Sequence, residues 1–132
     1  MLPTSTPPGQ TSRFQEKREA LLDAAARQFN ALGVRGATLG EIAGSVGLVT
    51  TSLTYYYRKK EDLATACFLR AIVAHEALAL QALAEAADGS VATRVQRFLA
   101  LHARMLTEMD LGIRPPLIRF SDIRALHETQ GA

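Results

Sequence analysis

Two short helices have to share one glycine between Thr38 and Leu63, and that stretch, TLGEIAGSVGLVTTSLTYYYRKKEDL, limits the fold more than any other part of the chain. Thr38 and Glu41 form a T-x-x-E capping box, in which the threonine hydroxyl accepts a first-turn backbone N–H while the glutamate reaches back to the cap. A helix therefore starts at Thr38. Ile42, Ala43 and Val46 repeat at the three-to-four-residue spacing of one buried face, and Gly47 supplies the left-handed conformation that stops the helix after about two turns. The next segment, Leu48 to Tyr57, puts Leu48 in the turn and a second short helix over Thr50 to Tyr57. Its pattern turns Leu53 and Tyr57 inward and leaves Thr50, Thr51, Ser52, Thr54, Tyr55 and Tyr56 largely outward.

Short hydroxyls at the opening of an exposed helix donate and accept without bulk, which is what close approach to phosphates and base edges requires. Arg58, Lys59 and Lys60 follow at once, and Glu61 and Asp62 sit in the first turn of the next helix, where its dipole favours them. Helix, glycine turn, hydroxyl-rich helix and basic cluster together describe a helix-turn-helix, a unit whose second helix enters the DNA major groove. The candidates for base edges or groove walls are Thr50, Thr51, Ser52 and Tyr55; those for phosphates are Thr38, Tyr56 and Lys60. Arg13, Lys17 and Arg18, at or before the start of the preceding helix, are candidates for a basic arm reaching a phosphate or the minor groove. Solvated helix charge is the alternative for these three.

From Gly33 through Leu63 the chain resembles the N-terminal domain of tetracycline-repressor (TetR) family transcription regulators. The resemblance rests on Gly33 and Thr38, then Glu41-Ile42-Ala43, Val46-Gly47-Leu48, Leu53, Tyr55-Tyr56-Tyr57 and Lys60-Glu61-Asp62-Leu63. Three positions depart from it. Val49 stands where a serine commonly caps the recognition helix, so the cap falls to Thr50 or is lost, at about 1 kcal/mol. Thr54 replaces a usual aromatic, and Gly40 sits inside the first short helix, where it costs roughly 0.5–1 kcal/mol relative to alanine. The resemblance implies a regulator, usually a repressor, that binds a double-stranded operator as a two-fold homodimer. It also implies a larger helical C-terminal domain that takes a small-molecule effector and moves the recognition helices through the long fourth helix. Members are typically longer, and the helices that usually build the dimer lie beyond where this sequence ends.

Charge is unevenly placed. The chain has 15 Lys+Arg against 13 Asp+Glu, a net +2, but residues 1–60 hold eight basic and four acidic residues, +4, leaving −2 for the rest. That asymmetry fits a DNA-facing end and a second end with another task. The single cysteine, Cys67, has no internal partner, and no Cys/His cluster suggests zinc or another metal. With no signal-peptide pattern and no run approaching the roughly 18 apolar residues that span a bilayer, the expectation is a soluble, cytoplasmic protein without a membrane partner.

In chain order, residues 1–12 read as a disordered Pro/Ser/Thr-rich tail. A second capping box at Ser12 and Gln15 opens a helix with Leu22, Ala25, Phe29 and Leu32 as its apolar stripe, ended by Gly33. Residues 13–74 are assigned to the helix-turn-helix domain, with the motif itself at 38–57. Residues 75–132 are assigned to a helical C-terminal region, an incomplete effector and dimerisation domain. A long helix runs from after Lys60 to about Ala87, with Leu63, Cys67, Phe68, Ala71, Ile72, His75, Leu78, Ala82 and Leu83 on its stripe. Asp88-Gly89-Ser90 breaks it. The next helix has Val91, Val95, Phe98, Leu99, His102, Met105, Leu106 and Met109 as its apolar face. Leu111 to Pro116 reads as a loop, and Ser121 to Glu128 as a last short helix capped by Ser121 or Asp122. The fold class is all-α.

His75 and His102 sit on apolar stripes, where core or boundary histidines are commoner than ligands. Met105, Met109 and Phe98 fit either plain core or an adaptable small-molecule pocket. No HExxH, GxSxG, GxGxxG or P-loop occurs, so no catalytic residue and no cofactor is assigned. The alternative to a regulator is a short helical interaction module that pairs with a longer regulator and lacks operator binding of its own.

Overall fold

The computed structural model describes residues 8–124 and 126 of the chain, and every structural statement below concerns these. The chain runs α1 (Pro8–Gly36), α2 (Leu39–Ser45), α3 (Thr50–Tyr56), α4 (Lys60–Glu85), α5 (Val91–Asp110) and a 3-10 turn at Phe120–Asp122. Helices account for the regular structure among the described residues, as the apolar spacing predicted.

α1 starts at Pro8, whose fixed φ and missing N–H suit a first helical turn. Pro8 to Ser12 therefore belong to the helix and not to the tail expected over 1–12; residues 1–7 lie outside the described part. Ser12 does not cap it, and instead its hydroxyl reaches Glu16 one turn on, at 3.4 Å. At Gly33 the backbone leaves helical values, with φ 78° and ψ 163°, so the helix proper stops where the sequence placed its end. Leu32, expected on the buried stripe, is 53 % exposed because the stripe has already turned past the core by the last turn.

The larger core gathers Leu21, Leu22, Ala25 and Phe29 of α1, Ile42 and Ala43 of α2, Leu53 of α3, and Leu63, Cys67, Phe68 and Ala71 of α4. A second, smaller one lies farther along α4, where Leu78 and Ala82 meet Leu101 and Met105 of α5. Ser90 caps α5 by accepting from Thr93 N at 3.2 Å. Across the hairpin Arg97 pairs with Glu85 at 2.7 Å, which lowers the Glu85 pKa.

The face predicted for α5 is only partly the buried one. Leu101 and Met105 are buried, Phe98 and Met109 half-buried, while Val91, Val95, Leu99 and Leu106 are exposed, as are Ile72 and Leu83 on α4. With one neighbouring helix, α5 can cover only a narrow strip of its apolar side. The expectation of no bilayer-length apolar run also needs correction. An 18-residue window within Lys60–Glu85 has a mean hydropathy of 1.6, long and apolar enough by length and composition to cross a membrane. Alanines raise that average without large side chains, and α4 packs on both α1 and α5.

After α5 the chain turns back through Pro115 and Pro116, and Ile118 enters the larger core, 3 % exposed. Asn30 of α1 grips this strap from both sides of its amide: Nδ2 donates to Leu117 O at 3.0 Å and Oδ1 accepts from Arg119 N at 2.8 Å. The 3-10 turn that follows is capped by Arg119 without a side-chain bond, not by Ser121 or Asp122; of the helix expected over 121–128, Ile123, Arg124 and Leu126 are helical, and residues 125, 127 and 128 lie outside the described part.

Cys67 is 2 % exposed and its thiol points to Leu22 O at 3.8 Å; burial pushes its pKa from 9.0 up to about 12. Since the thiolate is the reactive form, alkylation of the folded chain by iodoacetamide at pH 8 should run about a thousandfold slower than in urea. The folded thiol keeps a proton that the unfolded one loses, so this contribution to stability is whole below pH 9 and fades as pH rises toward 12. Comparable alkylation rates in the two states would contradict the burial.

Candidate helix-turn-helix interface

Thr38 caps α2 with φ −119° and ψ 147°, its Oγ1 accepting from Glu41 N at 3.2 Å. That bond uses one acceptor lone pair of the hydroxyl and leaves its hydrogen to donate. At the other end Val46, Gly47 and Leu48 complete a Schellman turn: Leu48 N donates to Ala43 O at 2.8 Å and Gly47 N to Gly44 O at 3.2 Å, with Gly47 at φ 73°. Leu48 then tucks against the larger core, which sets the angle at which the chain enters α3.

α3 has Val49 at its N-cap with no side-chain cap bond, so of the two options left by the missing serine the cap is lost. Leu53 is fully buried, and Thr50, Thr51 and Ser52 are exposed, with Tyr55 at 81 %. Thr54 turns its hydroxyl to Thr51 O at 2.8 Å. A side chain at Gly40 would meet Thr50 Oγ1 at 3.6 Å, which sets the first turn of α2 beside the first turn of α3. The candidates of the two helices thus share one surface.

Tyr56 and Tyr57 are half-buried and packed on the core. Tyr56 stacks on Phe14 with ring centres 5.1 Å apart and meets Tyr55 edge-on at 5.8 Å. Tyr57 Oη accepts from Arg18 Nε at 3.2 Å, a bond that raises the Arg18 pKa and holds the guanidinium charged. Apolar spacing gives no sign of these contacts, because Phe14 lies ahead of the buried stripe of α1. They change the reading of the basic arm. Arg13, Lys17 and Arg18 lie within α1, which starts five residues before Arg13, and Lys17 Nζ reaches Val46 O at 3.4 Å. Lys17 and Arg18 brace the motif; Arg13 is exposed, with Arg58 and Lys59 exposed after α3.

Lys60 has a structural task as well. Its Nζ donates to Arg35 O at 3.1 Å and Ala37 O at 3.0 Å, tying the start of α4 to the turn before α2 and leaving one ammonium hydrogen for any outside partner. Among the described residues no group of three or more His, Cys, Asp or Glu is placed to hold a metal ion.

Two helices of seven residues joined by a Schellman turn and braced by a longer first helix make a helix-turn-helix domain. Residues 21–67 match the bacterial regulatory proteins of the tetR family, a likeness that covers this N-terminal domain. It is also 38 % identical over 60 residues to the HTH-type transcriptional dual regulator CecR of Shigella flexneri, an overlap covering 46 % of this chain and 26 % of the relative. The chain therefore spans about a quarter of the length of the curated relative it matches.

The two glycines of the motif should respond in opposite senses. Gly40→Ala meets only an ordinary contact and should raise stability by about 0.5–1 kcal/mol, whereas Gly47→Ala is forced into a left-handed conformation and should lower it by about 1–2 kcal/mol. Urea unfolding of both variants checks this, and equal effects would refute the turn geometry. Thr38→Ala should cost about 1 kcal/mol in the same assay.

Proposed function

We propose that the chain is a DNA-binding transcription regulator, a repressor relieved by a small-molecule effector, acting in the cytoplasm as a homodimer on a double-stranded operator. The reading takes 13–74 as the DNA-binding part and 75–132 as the effector and dimer-forming part. One observation carries it: Thr50, Thr51, Ser52 and Tyr55 stand exposed on a helix whose opposite side, at Leu53, is fully buried. A helix fixed in the core from behind offers its hydroxyls and one aromatic ring at a set height, which groove readout needs. Thr38 and Tyr56 serve phosphates beside it, Lys60 through its remaining hydrogen, and Arg13, Arg58 and Lys59 through long-range charge. A regulator is favoured over an enzyme by the likeness of residues 21–67 to the bacterial regulatory proteins of the tetR family.

A single recognition helix makes too few contacts for tight specific binding at physiological salt, and two joined half-sites gain through effective concentration. The exposed Leu69, Val73 and Leu80 of α4 and Val95 and Leu99 of α5 supply apolar surface for association. That same surface supports the second reading, an interaction module paired with a longer regulator.

Selection of binding sites from random duplexes, followed by gel shifts at two salt concentrations, tests the proposal. Thr51→Ala and Tyr55→Ala should each lose about 1–3 kcal/mol on the selected duplex and little on unrelated DNA. Lys59→Ala should weaken all duplexes alike and flatten the salt dependence by about one ion. Light scattering on the same samples should give a dimer. Absence of salt-sensitive, selective binding together with a defined hetero-complex would favour the module.

A further inference from the structure

The strap that Asn30 holds also walls a cavity of about 330 Å³ between α4 and α5. Its volume is at the small end of the roughly 300–1,000 Å³ typical of ligand sites. A larger groove of about 670 Å³ at the α4–α5 turn is lined by short and charged side chains such as Ala84, Glu85 and Arg97, and has no comparable aromatic wall.

Three aromatic rings meet at the smaller cavity. His75 lies 5.4 Å from His102 and 5.3 Å from Phe120, centre to centre, and Phe98 backs His102 in a nearly parallel stack at 6.0 Å. Met105 and Met109 complete the lining with thioethers, which adapt to a flat ring and favour contact with one. The two charged residues at the cavity, Asp110 and Arg119, have opposite sign and give no preference for a net charge.

One ring nitrogen has its role decided. His75 Nδ1 lies 2.7 Å from Ala71 O, and since a carbonyl only accepts, Nδ1 carries the proton. In the neutral ring Nε2 is then an acceptor, and it is the ring atom left to meet a ligand.

We propose that this cavity binds a small, neutral, planar aromatic molecule bearing one hydrogen-bond donor, a phenol or an indole, with its O–H or N–H on His75 Nε2. The proposal deepens the effector reading and rests on it for regulatory meaning, though not for binding. Its consequence for the DNA-binding half follows from the strap: Leu117 lines the cavity and Ile118, the next residue, is seated in the core around Leu53. A ligand that presses on Leu117 acts on the segment that Asn30 fastens to α1.

Binding of phenol, indole and toluene to the full isotope-labelled chain, followed by NMR, tests the site. Phenol and indole should bind saturably, about tenfold more tightly than toluene, the difference of one hydrogen bond. Shifts should centre on His75, Met105 and Met109 and include the Asn30 side-chain amide. His75→Phe should abolish the preference over toluene and His75→Gln, which keeps an acceptor, should restore part of it. Should a variant not fold, the comparison of phenol with toluene on the native chain decides. Equal affinity for the two, no saturable binding, or shifts centred elsewhere would overturn the proposal. A gel shift run with and without indole separates the two readings: donor-selective binding by a chain that ignores DNA would sustain the site and sink the regulator.

Discussion

Neither α2 nor α3, at seven residues each, is long enough to persist in water by itself, since helices below about 12 residues are marginal even in good sequences. Their existence depends on burying Ile42, Ala43 and Leu53 in one cluster with Leu21 and Phe29 of α1. The rest of the exposed helix-turn-helix surface follows from this. With the apolar side of α3 spent on the core, its hydroxyls and Tyr55 have only solvent or a partner to face. The Schellman turn at Gly47 fixes how α3 leaves α2, and α1 closes the unit from the other side through Phe14 and Arg18. Lys60 adds a tie between the turn before α2 and the start of α4. A surface built from two short helices is thereby held by contacts reaching from residue 14 to residue 60.

The second half of the chain is joined to the first by more than the length of α4. Ile118 returns to the larger core, Leu117 touches both cores, and Asn30 holds the strap by a paired donor and acceptor. A buried apolar side chain and an amide clamp, acting together, make the strap a part of the helix-turn-helix half while it still forms a wall of the cavity. Displacement at that wall has a short route to α1 and, through α1, to the tyrosines at the end of α3.

Much of this was legible from local rules. The cap at Thr38, the stop at Gly47, the burial of Leu53, the exposure of Thr50, Thr51, Ser52 and Tyr55 and the break at Asp88-Gly89-Ser90 are each decided within a few residues by hydrogen bonding or by apolar spacing. What escaped is non-local. Phe14 finds Tyr56, Arg18 finds Tyr57, Lys60 finds two carbonyls near residue 36, and Asn30 finds a strap 87 to 89 residues away. Periodicity also names an apolar face without saying how much of it a partner covers: Leu32, Ile72, Val95 and Leu99 fit the pattern yet face solvent, and Leu101 lies off it yet is buried. The basic residues of α1 differ from a free arm for a related reason: Pro8 starts the helix ahead of the capping box, so Arg13, Lys17 and Arg18 stand on a rigid segment.

We propose that the hydroxyl-bearing side of α3 seats against duplex DNA. Intermolecular NOEs in an NMR titration with a selected duplex test it most directly. Contacts are expected from the methyls of Thr50 and Thr51 and the ring of Tyr55 to base and sugar protons, with Leu53 and α5 unaffected. Contacts arising instead from α5, with the Thr51 and Tyr55 signals unmoved at saturation, would contradict it.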